Sequence, residues 1–336
     1  MKVNFKSVFV TCGLGALVCF VVIHFLANNS QAKSNSAQTY FAQILNRIDR
    51  VDQAGNPSAV KCERKKTFQP LTFKPNGDKT FDYKKKMADL NSAKVDQADP
   101  LLVELIRNYY IEPPSLEPYN LDNPDRLEYS NGQTPFVDSR LNFMEDGFYI
   151  ECGALNGEKG SNSLFFEKVR KWNGLLIEGD PSNYAMLKSK HRKALTMNAC
   201  LYPHTYPSEI SFNKAFNRGR AVHDDNVKTW MAEQHLKPDT VQMQCFPLYS
   251  ILLALNRTTV DFFSLDIEGD ELGVLQTIPF DKVNIKMLTV EVTHGKIGNK
   301  SLQKFMEQKG YDTLLKVSRD DLGVNDLIFR KKGLKH

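Results

Sequence analysis

Four acids stand at the ends of apolar runs, where an α/β protein presents side chains to a ligand. Phe148-Tyr149-Ile150-Glu151 runs into the turn Cys152-Gly153-Ala154-Leu155-Asn156-Gly157, and Leu175-Leu176-Ile177-Glu178 places its acid 21 residues after Gly157. Glycines after a strand let the backbone approach a ligand, and an acid at this distance can accept hydrogen bonds from ribose hydroxyls. Dinucleotide sites add a middle glycine that makes room for a pyrophosphate at a helix N-terminus. Here Ala154 takes the place of that glycine, and Glu151 beside the turn would repel a pyrophosphate. The charges favour a cofactor with an ammonium and a sulfonium and no phosphate, which is S-adenosylmethionine. Its expected contacts are Glu151, Gly153, Ala154, Asn156, Gly157 and Glu178.

A second acidic site follows in Val260-Asp261-Phe262-Phe263-Ser264-Leu265-Asp266-Ile267-Glu268-Gly269. Its strand end would turn Asp266 and Glu268 toward the same crevice, where one could take a proton from a substrate hydroxyl or both could hold a cation. No resident metal is assigned. Asp270 and Glu271 read as caps of the next helix.

Positioning these acids requires strands near 148–152, 174–178, 194–198, 260–267 and 287–292, separated by helices near 163–171, 182–191, 247–255 and 270–277. Such alternation builds a mostly parallel sheet. After a helix at 301–309, the runs 311–317 and 326–330 are joined by a linker too short for a crossover, so the last strand is expected to be antiparallel. The helix beginning at Pro100 opens the domain, and a polar link leads to the first strand. The segment 202–244 reads as irregular.

The 336 residues carry a net charge of +5, unevenly placed: +2 in residues 1–27, +6 in 28–98 and −3 in 99–336. The domain lacks the basic face that nucleic-acid binding needs, so no nucleic-acid partner is expected. Val8 to Ala27 is a 20-residue run without formal charge. At ~1.5 Å per residue it covers ~30 Å, the thickness of a bilayer core. Lys2 and Lys6 before it would keep the N-terminus cytosolic, giving a type II single-pass anchor; a cleaved signal is the weaker alternative. The expected organisation is a cytosolic tail 1–7, an anchor 8–27, a basic stem 28–98 and a domain 99–336 in the lumen of the secretory pathway. Cys152 reads as a buried thiol, while Cys200 and Cys245 bracket the irregular segment and form the expected pair.

The stretches Tyr149–Gly157, Asn173–Glu178 and Phe263–Gly269 resemble the successive signatures of FkbM-type methyltransferases. Together with Phe246–Leu252 and Thr289–His294 they look most like an animal, membrane-anchored branch typified by the fruit-fly protein Star. The resemblance spans roughly residues 130–331. It implies a Rossmann-like class I methyltransferase fold, here preceded by a transmembrane helix and stem, S-adenosylmethionine as cofactor, and a hydroxyl oxygen as acceptor. By the same resemblance Asp266, Glu268 and His294 would be catalytic, with Glu291 beside them. A glycan or glycoprotein is the implied acceptor; the branch's alternative role is non-catalytic trafficking of a transmembrane growth-factor precursor.

Overall fold

The computed structural model describes residues 82–216, 219–222, 239–292, 299–319 and 324–334, all within the unit Pro70–His336. The chain enters through α1 (Tyr83–Ala93), α2 (Pro100–Leu105), which continues as a π-helical turn over Ile106–Tyr110, and α3 (Gln133–Arg140). It then alternates as β1 (Phe148–Cys152), α4 (Leu164–Arg170), β2 (Asn173–Glu178), α5 (Pro181–Ser189) and β3 (Leu195–Asn198). Four strands come next: β4 (Cys200–Leu201), β5 (Ser208–Asn213), β6 (Arg220–Ala221) and β7 (Thr240–Phe246). Alternation resumes with α6 (Leu248–Ala254), β8 (Thr259–Leu265), α7 (Glu271–Thr277), β9 (Asn284–Glu291) and α8 (Asn299–Gln308), and the chain closes on β10 (Tyr311–Arg319) and β11 (Val324–Lys331).

Seven strands form the main sheet in the order β10-β11-β9-β8-β1-β2-β3. Pairings from β9 through β3 are parallel, while β11 lies antiparallel between β9 and β10. All five residues of β1 are buried, as is every residue of β2 after Asn173. This is what continuous apolar runs become when helices cover both faces of a parallel sheet. One core cluster joins Phe148 and Ile150 to Leu102 and Leu105 of α2 and to Leu248, Ile251 and Leu252 of α6. Helix starts follow local rules: Asp180 precedes Pro181 and accepts from the N–H of Ser182 at 2.7 Å, and Asp99 precedes Pro100 and caps α2 in the same way. The cap satisfies free amides while proline occupies a position whose N–H has no partner.

The segment expected to be irregular is a second sheet, β4-β7-β5-β6. Ile210 and Phe212 alternate with polar residues along β5, and Met243 and Cys245 do so along β7; these four are buried together. That is the period-two pattern of strands buried on one face. Cys200 and Cys245 face each other in register and are joined as a disulfide, while Cys152 is a buried free thiol. Helix α1 lies within the segment expected to be stem, yet Met87 and Leu90 are buried in the core.

The expected anchor finds no support in the described chain. Among the described residues no helix is long and apolar enough to cross a membrane, and Val8–Ala27 lies outside them. The longest described helix has 11 residues, about 16 Å at 1.5 Å per residue, half of a bilayer core. What stands is an α/β domain with a mixed parallel and antiparallel sheet, with no transmembrane helix before it in the described chain.

The disulfide closes a loop with a sequence separation of 45. Reduction, or Cys245→Ser, is expected to lower stability by roughly 2–4 kcal/mol, because the bridge restricts the unfolded chain. Urea unfolding with and without reductant measures it; coincident curves would show that the second sheet holds itself.

Candidate functional site

A cavity of about 350 Å³ opens at the carboxyl ends of the parallel strands, bordered by Gly153, Leu155, Glu178, Gly179, Phe212 and Asp266 among others. This is where open α/β sheets bind ligands. Its cofactor side is built on the turn after β1. The N–H groups of Gly153 and Ala154 donate to Ile177 O at 3.0 and 3.1 Å, and Asp266 N donates to Cys152 O at 3.1 Å. Gly153 has φ +83, and a Cβ there would lie 1.9 Å from the Asp266 carbonyl oxygen. No other residue allows the two strand ends to close up like this. Glu178 receives the N–H of Leu155 at 2.7 Å and of Asp180 at 2.8 Å. Burial nevertheless pushes its carboxyl up to about 7. The Phe212 ring reaches over from the second sheet into a slot between Gly179 and Gly219, where added Cβ atoms would meet it at 2.9 and 3.1 Å.

Beneath the turn lies a buried charge network. Arg192 and Glu167 pair at 3.1 Å with side chains 0% and 1% exposed. Arg192 also donates to Tyr149 Oη and Ser163 Oγ, each at 3.2 Å, and to the carbonyl of Gly157. Burial alone would raise Glu167, but the Arg192 charge and its hydrogen bonds hold it below its ordinary value. Glu151 accepts from Asn162 N at 2.7 Å, from Ser161 Oγ at 2.8 Å and from Ser163 Oγ.

The opposite wall is acidic. Asp266, Glu268, Asp270, Glu291 and Asp326 border the cavity. Carboxylate oxygens of Asp266, Glu271 and Glu291 lie within 4.8 Å of one another. Asp326, at the start of β11, pairs in register with Glu291 and accepts from Gln133 Nε2. Asp266 is exposed to the open cavity. Loss of hydration to the protein packed around it first, and then Glu291, Glu268, Glu271 and Asp326, raise it well above the usual carboxylate range. Glu271 accepts from the N–H of Ile267 at 3.0 Å and of Gly269 at 3.1 Å, and burial pushes it up to about 7.

Of the expected cofactor residues, Gly153 and Glu178 border the cavity. Glu151 sits behind the turn, and its carboxylate organises residues 161–163. Asn156 accepts from Glu158 N and Lys159 N, Gly157 contributes its carbonyl to Arg192, and Ala154 is buried. Asp266 and Glu268 border the cavity together, whereas His294 lies outside the described residues. Asp270 holds the N-cap position of α7 without capping the helix through its side chain, and Glu271 turns back to close the loop instead of capping. Asp326, Phe212, Gln133 and Asn162 border the cavity without having been singled out. Asp326 breaks the apolar run Leu327-Ile328-Phe329 at its start, and that interruption was the available signal.

Residues 151–313 match the family model described as the Methyltransferase FkbM domain. This segment is a methyltransferase domain that uses S-adenosylmethionine. Among solved structures, the chain is similar to Methyltransferase FkbM from Methylobacillus flagellatus KT at 15% identity and a TM-score of 0.35, covering 55% of this chain and 43% of that one. A putative RNA methyltransferase from Pyrococcus horikoshii is 11% identical with a TM-score of 0.34, covering 75% of this chain and 98% of that one. No curated protein matches. The match supports the methyltransferase domain and nothing of a Star-type animal branch, so that assignment is corrected. The expected anchored secretory-pathway enzyme, its trafficking alternative and the lumenal placement are corrected with it. So are the membrane and the transmembrane cargo as partners.

The site fits the cofactor on its own chemistry. Acids line the cavity, which suits a cation, and the closed turn at Gly153 brings backbone rather than side chains to the ligand.

Glu271 gives a stability test. Its carboxyl is raised from 4.5 to about 7 in the folded chain. Between those values the folded state holds a proton that the unfolded state releases. The contribution is therefore complete below the lower value and is lost as pH rises through the higher one. Glu271→Gln keeps an acceptor for Ile267 and Gly269 without ionising. The variant is expected to match wild type near pH ~4.5 and to be about 2–3 kcal/mol more stable near pH ~8. Urea midpoints at the two pH values decide it; an equal offset at both would reject the assignment.

Proposed function

We propose that this domain methylates an acceptor whose attacked atom carries a proton, with Asp266 taking that proton and Glu178 holding the cofactor's ribose. The observation that carries the reading is the meeting of Asp266, Glu271 and Glu291 within 4.8 Å beside the Gly153 turn. S-adenosylmethionine supplies an activated methyl group, so the acceptor's proton must be passed to the protein or to water. Gly153 and Leu155 present backbone at the cofactor side, and Phe212 offers an apolar wall beside Glu178. Asp266, raised by the protein packed around it and by its acidic neighbours, is a stronger base than an ordinary carboxylate once ionised. Glu268 and Asp326 flank the position the acceptor would take. Alignment of acceptor and cofactor supplies much of the remaining rate.

Two variants test the roles separately. Glu178→Ala should weaken S-adenosylmethionine binding by at least about tenfold in titration calorimetry, the effect of ~1.4 kcal/mol of lost hydrogen bonding. Unchanged affinity would remove Glu178 from the site.

Asp266→Asn should bind the cofactor, melt near wild type and transfer labelled methyl to fractionated extract roughly 10²–10⁴-fold more slowly, the range for loss of a general base. Wild-type transfer by this variant would exclude Asp266 as the proton acceptor. Wild-type activity should also fall as pH drops, with its midpoint above the ordinary carboxylate range, because Asp266 is raised.

A further inference from the structure

The acidic wall belongs to the main sheet, but a cation that faces it comes from the other one. Arg220 opens β6, and its Nη2 lies 3.1 Å from Glu268 Oε2, with the two side chains 10% and 13% exposed. Glu268 is held at φ +64, a left-handed conformation that costs a residue with a side chain. The loop carrying Asp266 and Glu268 is thus tied at three places. Asp266 N bonds Cys152 O on β1, Glu271 of α7 binds the N–H groups of Ile267 and Gly269, and Arg220 holds Glu268. The first two ties come from the main sheet and its helix; the third crosses from the inserted sheet.

The charges facing Asp266 come from several elements. Glu268 shares its loop, Glu271 comes from α7, Glu291 from β9 and Asp326 from β11, with the Cys152 thiol on β1 behind. Arg220 in turn is acted on by Glu268, Glu291 and Glu271. Acids this close suppress one another's ionisation unless a positive charge offsets them. A base trapped in its protonated form would be unable to accept a proton.

We propose that Arg220 is a positioning residue for methyl transfer. From the inserted sheet it fixes the Glu268 turn and supplies the positive charge against which Asp266 ionises. The proposal rests on Asp266 as the proton acceptor. It gives the inserted sheet a task in the chemistry, since β5 brings Phe212 to the cavity and β6 brings the counter-charge.

The test reads ionisation directly. The full chain, carrying ¹³C-labelled Asp and Glu carboxyls, is titrated by NMR, with Asp266→Asn assigning the Asp266 signal. Arg220→Gln is expected to move the Asp266 midpoint up by about one pH unit, a tenfold change in its ionisation constant. Arg220→Lys, which keeps the charge, should return it most of the way. Because Arg220→Gln leaves Glu268 buried against other acids and could unfold the chain, the same substitution is also made in a Glu268→Gln background. There removal of Arg220 should again raise the midpoint. A midpoint that does not move on loss of Arg220 in a folded background overturns the proposal. Methyl transfer by Asp266→Asn would instead defeat the proton-acceptor role, and the titration result tells the two failures apart.

Discussion

Arg192 carries a full charge into a place with no exposed surface, and the cofactor side of the site is arranged around it. Its guanidinium reaches the carbonyl of Gly157 at the end of the ligand-facing turn, Tyr149 on β1, Glu167 on α4, and Ser163. Ser163 and Ser161 then hold Glu151, whose other oxygen takes the N–H of Asn162. A buried charge of this kind is tolerated because its donors are met. Losing one partner of such a pair typically costs about 3–5 kcal/mol, since the other charge is left stranded. The turn after β1 is therefore held from below by the Arg192 network and from the side by the backbone of β2. Neither support depends on a ligand being present, which gives the site its shape in advance.

The acidic wall is organised on different terms. Asp266, Glu271 and Glu291 converge because β8 and β9 end, and α7 begins, at one edge of the sheet. Their mutual repulsion is a cost that a purely structural arrangement would avoid. The inserted sheet faces this edge, and the Cys200–Cys245 bond joins two of its own strands, β4 and β7. It supplies an aromatic wall on one side and a guanidinium on the other. The cavity is in this sense a seam between two sheets whose contributions differ in kind: carboxylates and backbone from one, a ring and a positive charge from the other.

Much of the main sheet could be read from the sequence, for physical reasons that particular residues make plain. Runs such as Tyr149-Ile150 and Phe262-Phe263 are apolar on consecutive positions, which only strands buried on both faces require, and Pro181 and Pro247 mark helix entries. Asp266, Glu268 and Glu178 stood out because an acid ending such a run has few other uses. The second sheet was harder to read. Its strands alternate weakly, with Glu209 and Gln242 on the open face, and β4 and β6 have two residues each. Arg220 carries no local sign of its partner, since Glu268 is 48 positions away. The burial of Met87 and Leu90 was masked by the lysines around them, because polar residues hold most of the positions of α1 that face water. The side to which Glu151 turns was not legible for a simpler reason. A strand-end acid beside a glycine turn looks the same in sequence whether it faces the ligand or the serines behind it.

The place of β11 has a consequence for how the chain comes into being. This strand lies between β9 and β10, and it brings Asp326 to the cavity from its own beginning because it runs against its neighbours. Residues 324–331 must therefore be inserted into the sheet after everything they pair with has already been made. A nascent chain that has completed β9 and β10 still exposes the edge where β11 belongs, and its acidic wall still lacks a member. Synthesis must pass the last apolar run before that edge is covered, so assembly of the acceptor side is timed by the arrival of the final strand rather than by the glycine turn that precedes it by more than a hundred and fifty residues.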